Sequence, residues 1–274
     1  MKVYGVSYDA QQHLKQFADR HDIAFDLLSD YDSEVIKRFG ILNTTIDPDS
    51  DVIHRGTNRG FYGLPFPGVY VTDAEGRVAE KFFHRNFATR TSAGTIRNSA
   101  IGRILSKHET PMAELSDEHV KVSAFLADEA LRFESESTVY VRFEVADGYH
   151  MYGAPLPEGF IASTATVAQT KSVRIGEPKY PRTTAREFPA LGVTLNVYEG
   201  VTDVAIPVIL GSEVLDWSLR DKPTEIELPI EVVFQACSEK VCFRPQRKQL
   251  VLKAPIGSHV MPTRNRRGRK KQAP

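Results

Sequence analysis

Hydrophobic and polar positions change their period near residue 117 of this 274-residue chain. Before that point, apolar residues recur at the spacings of short strands that alternate with helices. Asp30 and Asp32, for example, precede a predicted short helix that contains Val35 and Ile36 and ends at Gly40. After that point, apolar and polar residues alternate with a period of two, and clusters of Gly, Pro and Asp separate the runs. The pattern predicts two domains of different class.

The first half predicts strands alternating with helices, interrupted by a polar, turn-rich loop. The expected elements are a strand at 2–6, a helix after Asp9, a strand at 23–28, a helix after Asp32, a loop at 43–67, a hairpin of 68–72 with 77–83, and a helix at 92–107. This βαβα-ββα order predicts an α/β domain over residues 1–108.

The second half predicts strands without helices. In the run 138–145, Val141 and Phe143 share one face while Arg142 and Glu144 share the other. Seven or so strands of this kind are typical of an all-β, immunoglobulin-like sandwich. The expected strands are 120–125, 138–145, 165–175, 194–197, 203–210, 225–234 and 248–253. We assign this domain to residues 118–256, with a linker at 109–117 and a basic, disordered tail at 257–274.

Composition and charge exclude several classes of protein. The formal net charge is zero, so nothing global indicates specific nucleic-acid binding. No apolar run is long enough to predict a membrane span. The first residues lack the apolar region of a signal peptide, and they begin directly as a core strand. We therefore expect that a segment preceding residue 1 is missing, and the absent signal favours the cytoplasm by default.

The two cysteines of the chain, Cys237 and Cys242, lie five positions apart. The flanking runs 225–234 and 248–253 alternate like the arms of a hairpin, so the pair lies near its turn and can close into a disulfide. A structural disulfide, a zinc site and a redox-active pair are the alternatives. We favour redox exchange, because a small loop gains only about 2 kcal/mol from closure and because neighbouring cations promote thiolates. No second ligand pair supports zinc, and we expect neither metal nor cofactor.

The first half resembles the peroxiredoxins of the alkyl hydroperoxide reductase/thiol-specific antioxidant family. The matching stretches are 3–9, 25–30, 35–40 and 63–76. The resemblance implies a thioredoxin-like fold, with Pro67 at the position where such folds place a proline, often cis, beside the active cysteine. It also implies that the fold is incomplete, because the first helix and its peroxidatic cysteine are absent. Residues 1–236 contain no cysteine at all.

The second half resembles the amino-terminal domain of the thiol:disulfide interchange protein DsbD. The matching stretches are 147–152, 178–181, 197–200 and, most clearly, 234–246. The resemblance implies that Cys237 and Cys242 cycle between dithiol and disulfide. It also implies that Tyr149 and Tyr152 pack beside them and that Phe188 lies in a cap loop over the sulfurs. The family is found outside the cytoplasm, which conflicts with the missing export signal.

Three of these residues have plainer interpretations. Tyr149 and Tyr152 fit an ordinary sandwich core equally well. His150 fits a proton shuttle, but we expect an exposed histidine at a strand end.

The predicted function is thiol–disulfide exchange through Cys237–Cys242, with a thioredoxin-like protein as partner and with no signal for oligomeric state. The alternatives are a binding module with a structural disulfide and a peroxiredoxin fragment that lacks its peroxidatic cysteine.

Overall fold

The computed structural model describes residues 2–46, 63–86, 88–105, 112–189, 192–211 and 223–257. Most of the regular structure in these residues is β-strand, with a few short helices. The chain divides into two compact units, one of residues 1–91 and 96–103 and the other of residues 92–95 and 104–274. Most of the predicted loop at 43–67 and nearly all of the predicted tail at 257–274 lie outside the described residues.

The first unit contains two separate strand pairs. Strand β1 pairs with β2 in parallel, and β3 pairs with β4 as an antiparallel hairpin. The elements of this half are β1 (Tyr4–Ser7), α1 (Gln11–His21), β2 (Asp26–Ser29), α2 (Glu34–Arg38), β3 (Gly68–Thr72), β4 (Val78–Phe83), β5 (Arg90–Thr91) and α3 (Ala93–Ala100). The order of strands and helices up to β4 follows the prediction. The helix predicted at 92–107 is shorter, because the chain turns at Gly102, whose φ is +60°.

Local side-chain contacts explain how α2 begins. The buried carboxylate of Asp30 accepts hydrogen bonds from the backbone N–H groups of Val35 at 3.0 Å and Ile36 at 2.8 Å. These are amide groups that the first turn of a helix leaves unpaired. Among the described residues of this unit, only Leu14 and Ile36 are fully buried apolar side chains. The first unit therefore has a small core.

The second unit is built from three sheets. Its strands are β6 (Met112–Ser116), β7 (Val120–Leu126), β8 (Ser135–Val145), β9 (Met151–Tyr152), β10 (Thr164–Val167), β11 (Val173–Ile175), β12 (Thr184–Phe188), β13 (Val193–Tyr198), β14 (Val201–Leu210), β15 (Glu225–Phe234) and β16 (Gln246–Pro255). One sheet has the order β11-β14-β8-β7-β6, a second β10-β15-β16 and a third β12-β13-β9. This organisation is consistent with an immunoglobulin-like domain.

The large core of this unit follows from the period-two pattern of its strands. On β14, every second residue from Thr202 to Leu210 is buried, and on β15 the same is true from Leu228 to Phe234. These side chains meet in one apolar cluster to which the first two sheets contribute. Burial of apolar surface at about 25 cal/mol per Å² makes this cluster the main source of stability in the unit.

Two segments differ from the sequence prediction. The predicted strand at 165–175 is two strands, β10 and β11, in different sheets, because polar residues 169–172 form a turn in which Ser172 has φ +65°. Part of the predicted linker at 109–117 is strand β6, which pairs with β7. Its Ala113 and Leu115 pack against the core, and this alternation was too short to predict a strand.

Candidate functional site

The two cysteines lie at the turn end of the β15–β16 hairpin, in the segment that connects the two strands. The strands pair continuously from Glu225 opposite Pro255 to Phe234 opposite Gln246. Beyond this point Cys237 and Cys242 pair as an isolated antiparallel bridge, with Cα atoms 4.1 Å apart and a disulfide between their sulfurs. The predicted position of the pair near a hairpin turn is confirmed.

The segment between the cysteines is a compact polar turn. Ser238 donates its backbone N–H to the carbonyl of Val241 at 2.8 Å, and its Oγ accepts the N–H of Val241 at 3.1 Å. Ser238 Oγ also lies 3.3 Å from the backbone nitrogen of Lys240. These bonds fix the turn independently of the disulfide.

The two cysteines differ sharply in exposure. Cys237 is completely buried, whereas Cys242 is exposed. Cys237 belongs to a small apolar cluster that is separate from the main core. That cluster comprises Tyr152, Leu195, Val197 and Cys237, with Leu156, Phe160, Phe188 and Val193 packed around them. Since thiol–disulfide exchange requires direct attack on a sulfur, the accessible residue is Cys242.

His150 lies directly opposite Cys237. Each residue donates its backbone N–H to the carbonyl of the other, at 2.8 and 2.9 Å. Its side chain is fully buried, and within the described part of the chain neither ring nitrogen has a hydrogen-bond partner. The expectation of an exposed histidine was wrong, because the rings of Tyr152 and of Phe188, at the end of β12, pack against its imidazole.

Tyr152 and Phe188 enclose the disulfide from the apolar side. Tyr152 is buried, and its hydroxyl oxygen lies 3.5 Å from Cys242 Sγ. The ring of Phe188, at the end of β12, lies 5.2 Å from that of His150 and 6.3 Å from that of Tyr152. Phe160 meets Tyr152 edge-on at 5.4 Å. Burial raises the pKa of Tyr152, so its hydroxyl stays protonated and can donate a hydrogen bond.

Arg186 connects strand β12 to the turn between the two cysteines. Its guanidinium pairs with Glu199 at 2.6 Å and with Glu239, which lies between the cysteines, at 3.0 Å. The same group lies 5.7 Å from the ring centroid of Phe188. Burial lowers the pKa of His150, the positive charge of Arg186 lowers it further, and the two glutamates oppose that effect. His150 is therefore neutral at pH 7.

Tyr149 and Pro67 have different surroundings. Tyr149 stacks on His119, with ring centroids 4.1 Å apart, and lies 6.1 Å from the ring of Phe243. It packs against the main core rather than the cluster that holds Cys237. Pro67 belongs to the first unit, where it lines an apolar groove with Phe39. The one cis peptide bond among the described residues precedes Pro155, so Pro67 follows a trans bond.

Sequence reasoning missed the roles of Arg186, Glu199 and Glu239, which come together from separate segments. Their opposite charges were visible, but nothing in a single sequence pairs residues 13 and 53 positions apart. The described residues hold no group of three or more His, Cys, Asp or Glu side chains suited to a metal ion. No helix in the described ranges is long and apolar enough to cross a bilayer.

Two family profiles match the chain, one in each half. Residues 121–254 match the N-terminal region of the thiol:disulfide interchange protein DsbD, and residues 1–81 match the AhpC/TSA family. The chain thus resembles a redoxin in its first part and the DsbD N-terminal domain in its second, as the sequence predicted. Together with the disulfide, these matches indicate a function related to thiol–disulfide chemistry. Comparison with curated proteins gave no match.

Solved structures give more distant similarities. The N-terminal periplasmic domain of ScsB from Proteus mirabilis is 16% identical, with a TM-score of 0.37, over 52% of this chain and 51% of that one. The DsbD N-terminal domain of Neisseria meningitidis in its reduced form is 20% identical, with a TM-score of 0.30, over 53% of this chain and 85% of that one. This chain therefore spans about half the length of the ScsB structure, and the family profiles carry the assignment.

Proposed function

We propose that this protein is a thiol–disulfide oxidoreductase that exchanges disulfides through Cys237 and Cys242. The observation that supports it most is the pairing of one exposed sulfur with one buried sulfur beneath an aromatic cap. In this proposal a DsbD-like, immunoglobulin-type domain at 118–256 carries the chemistry. A redoxin-like region with an incomplete thioredoxin-like fold lies within residues 1–108.

The exposure of Cys242 gives the exchange a direction. A partner thiolate attacks Cys242 Sγ and forms a mixed disulfide, while the bond to Cys237 breaks and its electron pair passes to Cys237 Sγ. A second thiolate of the partner then attacks its own sulfur in the mixed disulfide and releases Cys242. The partner is oxidised to a disulfide, and the protein is reduced to a dithiol. The reverse sequence reduces a partner's disulfide.

The surface around Cys242 suits a protein partner. Val241 and Phe243 expose apolar side chains on either side of it, and Lys240 and Arg244 add positive charge. Exposed aromatic and aliphatic groups of this kind form the centres of transient protein interfaces. A thioredoxin-like protein, which presents a reactive cysteine at its surface, is the partner that this geometry supports best.

A cysteine-trapping experiment tests this function. In Cys237→Ser, the partner should remain covalently attached through Cys242, because the resolving thiol is absent. In the matched variant Cys242→Ser, no complex should accumulate, because Cys237 is buried. Non-reducing gels and intact mass provide the measurement, after incubation with a thioredoxin-like protein that keeps only its surface cysteine, activated as a mixed disulfide with nitrothiobenzoate. Equal trapping by both variants, or by neither, would contradict the proposal.

The complete burial of Cys237 also supports a second function, a binding module with a static disulfide. Structural disulfides have reduction potentials below about −300 mV, and exchanging ones lie higher. Equilibration with glutathione and thioredoxin redox buffers would separate the two. A potential below that value would favour the binding module. In either case, the redoxin-like residues 1–81 contain no cysteine to act as a peroxidatic residue.

A further inference from the structure

His150 is a buried titratable side chain for which the exchange scheme above has no use. Its exposed fraction is 0%, and both ring nitrogens lack partners among the described residues. Leaving such atoms unpaired in an apolar site is costly, about 1–3 kcal/mol for each group. A redox or catalytic role is one physical reason for a buried polar group to lack a partner.

The geometry places Cys237 opposite His150. His150 and Cys237 form a hydrogen-bonded antiparallel pair through both backbone N–H groups. In such a pair the Cβ atoms are roughly 5 Å apart and point to the same side of the sheet. Oxidised Cys237 has no proton to donate, whereas reduced Cys237 carries an S–H group on the same side of the sheet as the imidazole, whose unprotonated nitrogen can accept a proton.

We propose that His150 is the proton acceptor for the Cys237 thiol, and that it activates Cys237 as the resolving nucleophile. This inference rests on the proposed exchange function. A thiol in apolar surroundings ionises poorly, so a fully buried resolving cysteine needs a local base. His150 is the titratable side chain paired with it, and its ring is held between Tyr152 at 5.3 Å and Phe188 at 5.2 Å.

The proton and the electrons balance in this step. A mixed disulfide joins Cys242 to the partner, and Cys237 carries a proton. The proton moves from Cys237 to His150, and the resulting thiolate attacks Cys242 Sγ. The new Cys237–Cys242 bond forms as the bond to the partner breaks, and the partner leaves as a thiolate. His150 then returns its proton to that thiolate or to water.

The charged groups around His150 set the pH range of this role. Arg186 on β12 lowers the pKa of His150, Glu199 and Glu239 raise it, and burial lowers it most. Tyr152 on β9 stays neutral because burial raises its pKa. A base must be unprotonated to act, so the resolving rate should fall as pH drops through the lowered pKa of His150. At neutral pH the base is fully available.

The experiment uses the full chain and a small aromatic disulfide, dithiobisnitrobenzoate, in place of a protein partner. Reduced protein should release one coloured thiolate as Cys242 reacts. A second should follow in a step that is independent of reagent concentration as Cys237 resolves the mixed disulfide. His150→Phe keeps the ring that packs on Tyr152 but cannot take a proton. We expect its second step to be about a hundredfold slower at pH 7, at the low end of general base effects.

The dependence on pH separates proton transfer from packing. Above about pH 9, the rate of His150→Phe should rise towards that of the wild type, because hydroxide can then take the thiol proton without the imidazole. His150→Gln, which accepts a hydrogen bond but not a proton, should behave in the same way. Arg186→Gln keeps the base but should move the midpoint of the pH profile upwards, because it removes a positive charge. His119→Gln, the matched control, should leave the shape of the profile unchanged.

Two results would overturn the proposal: a wild-type second step in His150→Phe at pH 7, or a rate lowered by the same factor at every pH. If the wild-type protein shows no second step, the exchange function itself fails, and this is a distinguishable outcome.

Discussion

At the scale of single residues, Tyr152 lies close to both cysteines of the disulfide. Its ring packs in the cluster that buries Cys237, and its hydroxyl reaches Cys242 at 3.5 Å. When Cys242 is a thiolate, a neutral phenol is a hydrogen-bond donor to it, and hydrogen bonds to charged groups are stronger than neutral ones. The residue therefore stabilises the reactive form of the exposed sulfur without exposing the buried one.

Removing the hydroxyl alone should lower the reactivity of Cys242. In a Cys237→Ser background, Tyr152→Phe should slow alkylation of Cys242 by iodoacetamide several-fold at pH 7, because the thiolate loses a donor worth about 1.5 kcal/mol or less. Mass spectrometry of timed, quenched samples gives the rate. Tyr198→Phe is the matched control, since this buried tyrosine bonds the carbonyl of Pro181 away from the cysteines. A rate equal to that of the control would contradict the role of Tyr152.

The sequence predicted part of this site. Cys237, Cys242 and their hairpin follow from spacing and alternation, and Tyr152 and Phe188 were named through a family resemblance. His150 was judged exposed, because alternation alone does not reveal that Phe188, from a strand two positions away in the same sheet, packs on this strand end. Tyr149 was grouped with Tyr152, but it lies outside β9, and its ring contacts His119 instead.

At the scale of secondary-structure elements, β12 brings Phe188 into the small apolar cluster that holds Cys237. Among the described residues β12 pairs with β13, in the register Phe188 opposite Val193, and β13 in turn pairs with β9. The ion pair between Arg186 and Glu239 adds a polar contact to the cysteine turn. Such exposed pairs contribute roughly 0–1 kcal/mol each. The aromatic packing of Phe188 therefore contributes more to holding β12 against the cysteine turn.

Shortening Phe188 should make the disulfide easier to reduce. In Phe188→Ala, reduction by dithiothreitol should become several-fold faster, because the small thiol can then reach the otherwise buried Cys237 as well as Cys242. The measurement is timed alkylation of the released thiols. Val193→Ala is the matched control. Val193 pairs with Phe188 and packs on the same cluster, but it has no aromatic ring to pack on His150. Equal acceleration in both variants would indicate general loosening instead of loss of a cover.

At the scale of the whole molecule, the two units differ in the apolar surface that they bury. Val3, Tyr4 and Val6 near β1 are each about half exposed, and Leu28 on β2 is exposed to a similar degree. The strands of the second unit bury almost every inward side chain. Strand boundaries were predicted about equally well in both units. The strands at 68–72 and 225–234 match the prediction, whereas the ends of others, such as β2 and β8, differ by up to three residues.

The difference in burial between the two units predicts unequal protection from hydrogen exchange. Peptides covering β7, β8 and β14 should exchange slowest, and those covering β1 and β2 should exchange much faster, since protection follows the local free energy of opening. Exchange detected by mass spectrometry on the intact protein provides the measurement, with β3–β4 as an internal comparison from the same unit. Equal protection of β1 and β7 would show that the first unit is stabilised by more than its own described contacts.

The hairpin that carries the cysteines is paired over ten residues on each strand before the disulfide is reached, and Leu228, Ile230 and Leu252 fasten it to the main core. The disulfide closes a very small loop at the far end. The entropy that this loop removes from the unfolded chain raises its free energy by only about 2 kcal/mol at 25 °C. The strands are held by the core whichever oxidation state the sulfurs have. The disulfide can therefore be reduced and re-formed while the sandwich stays folded.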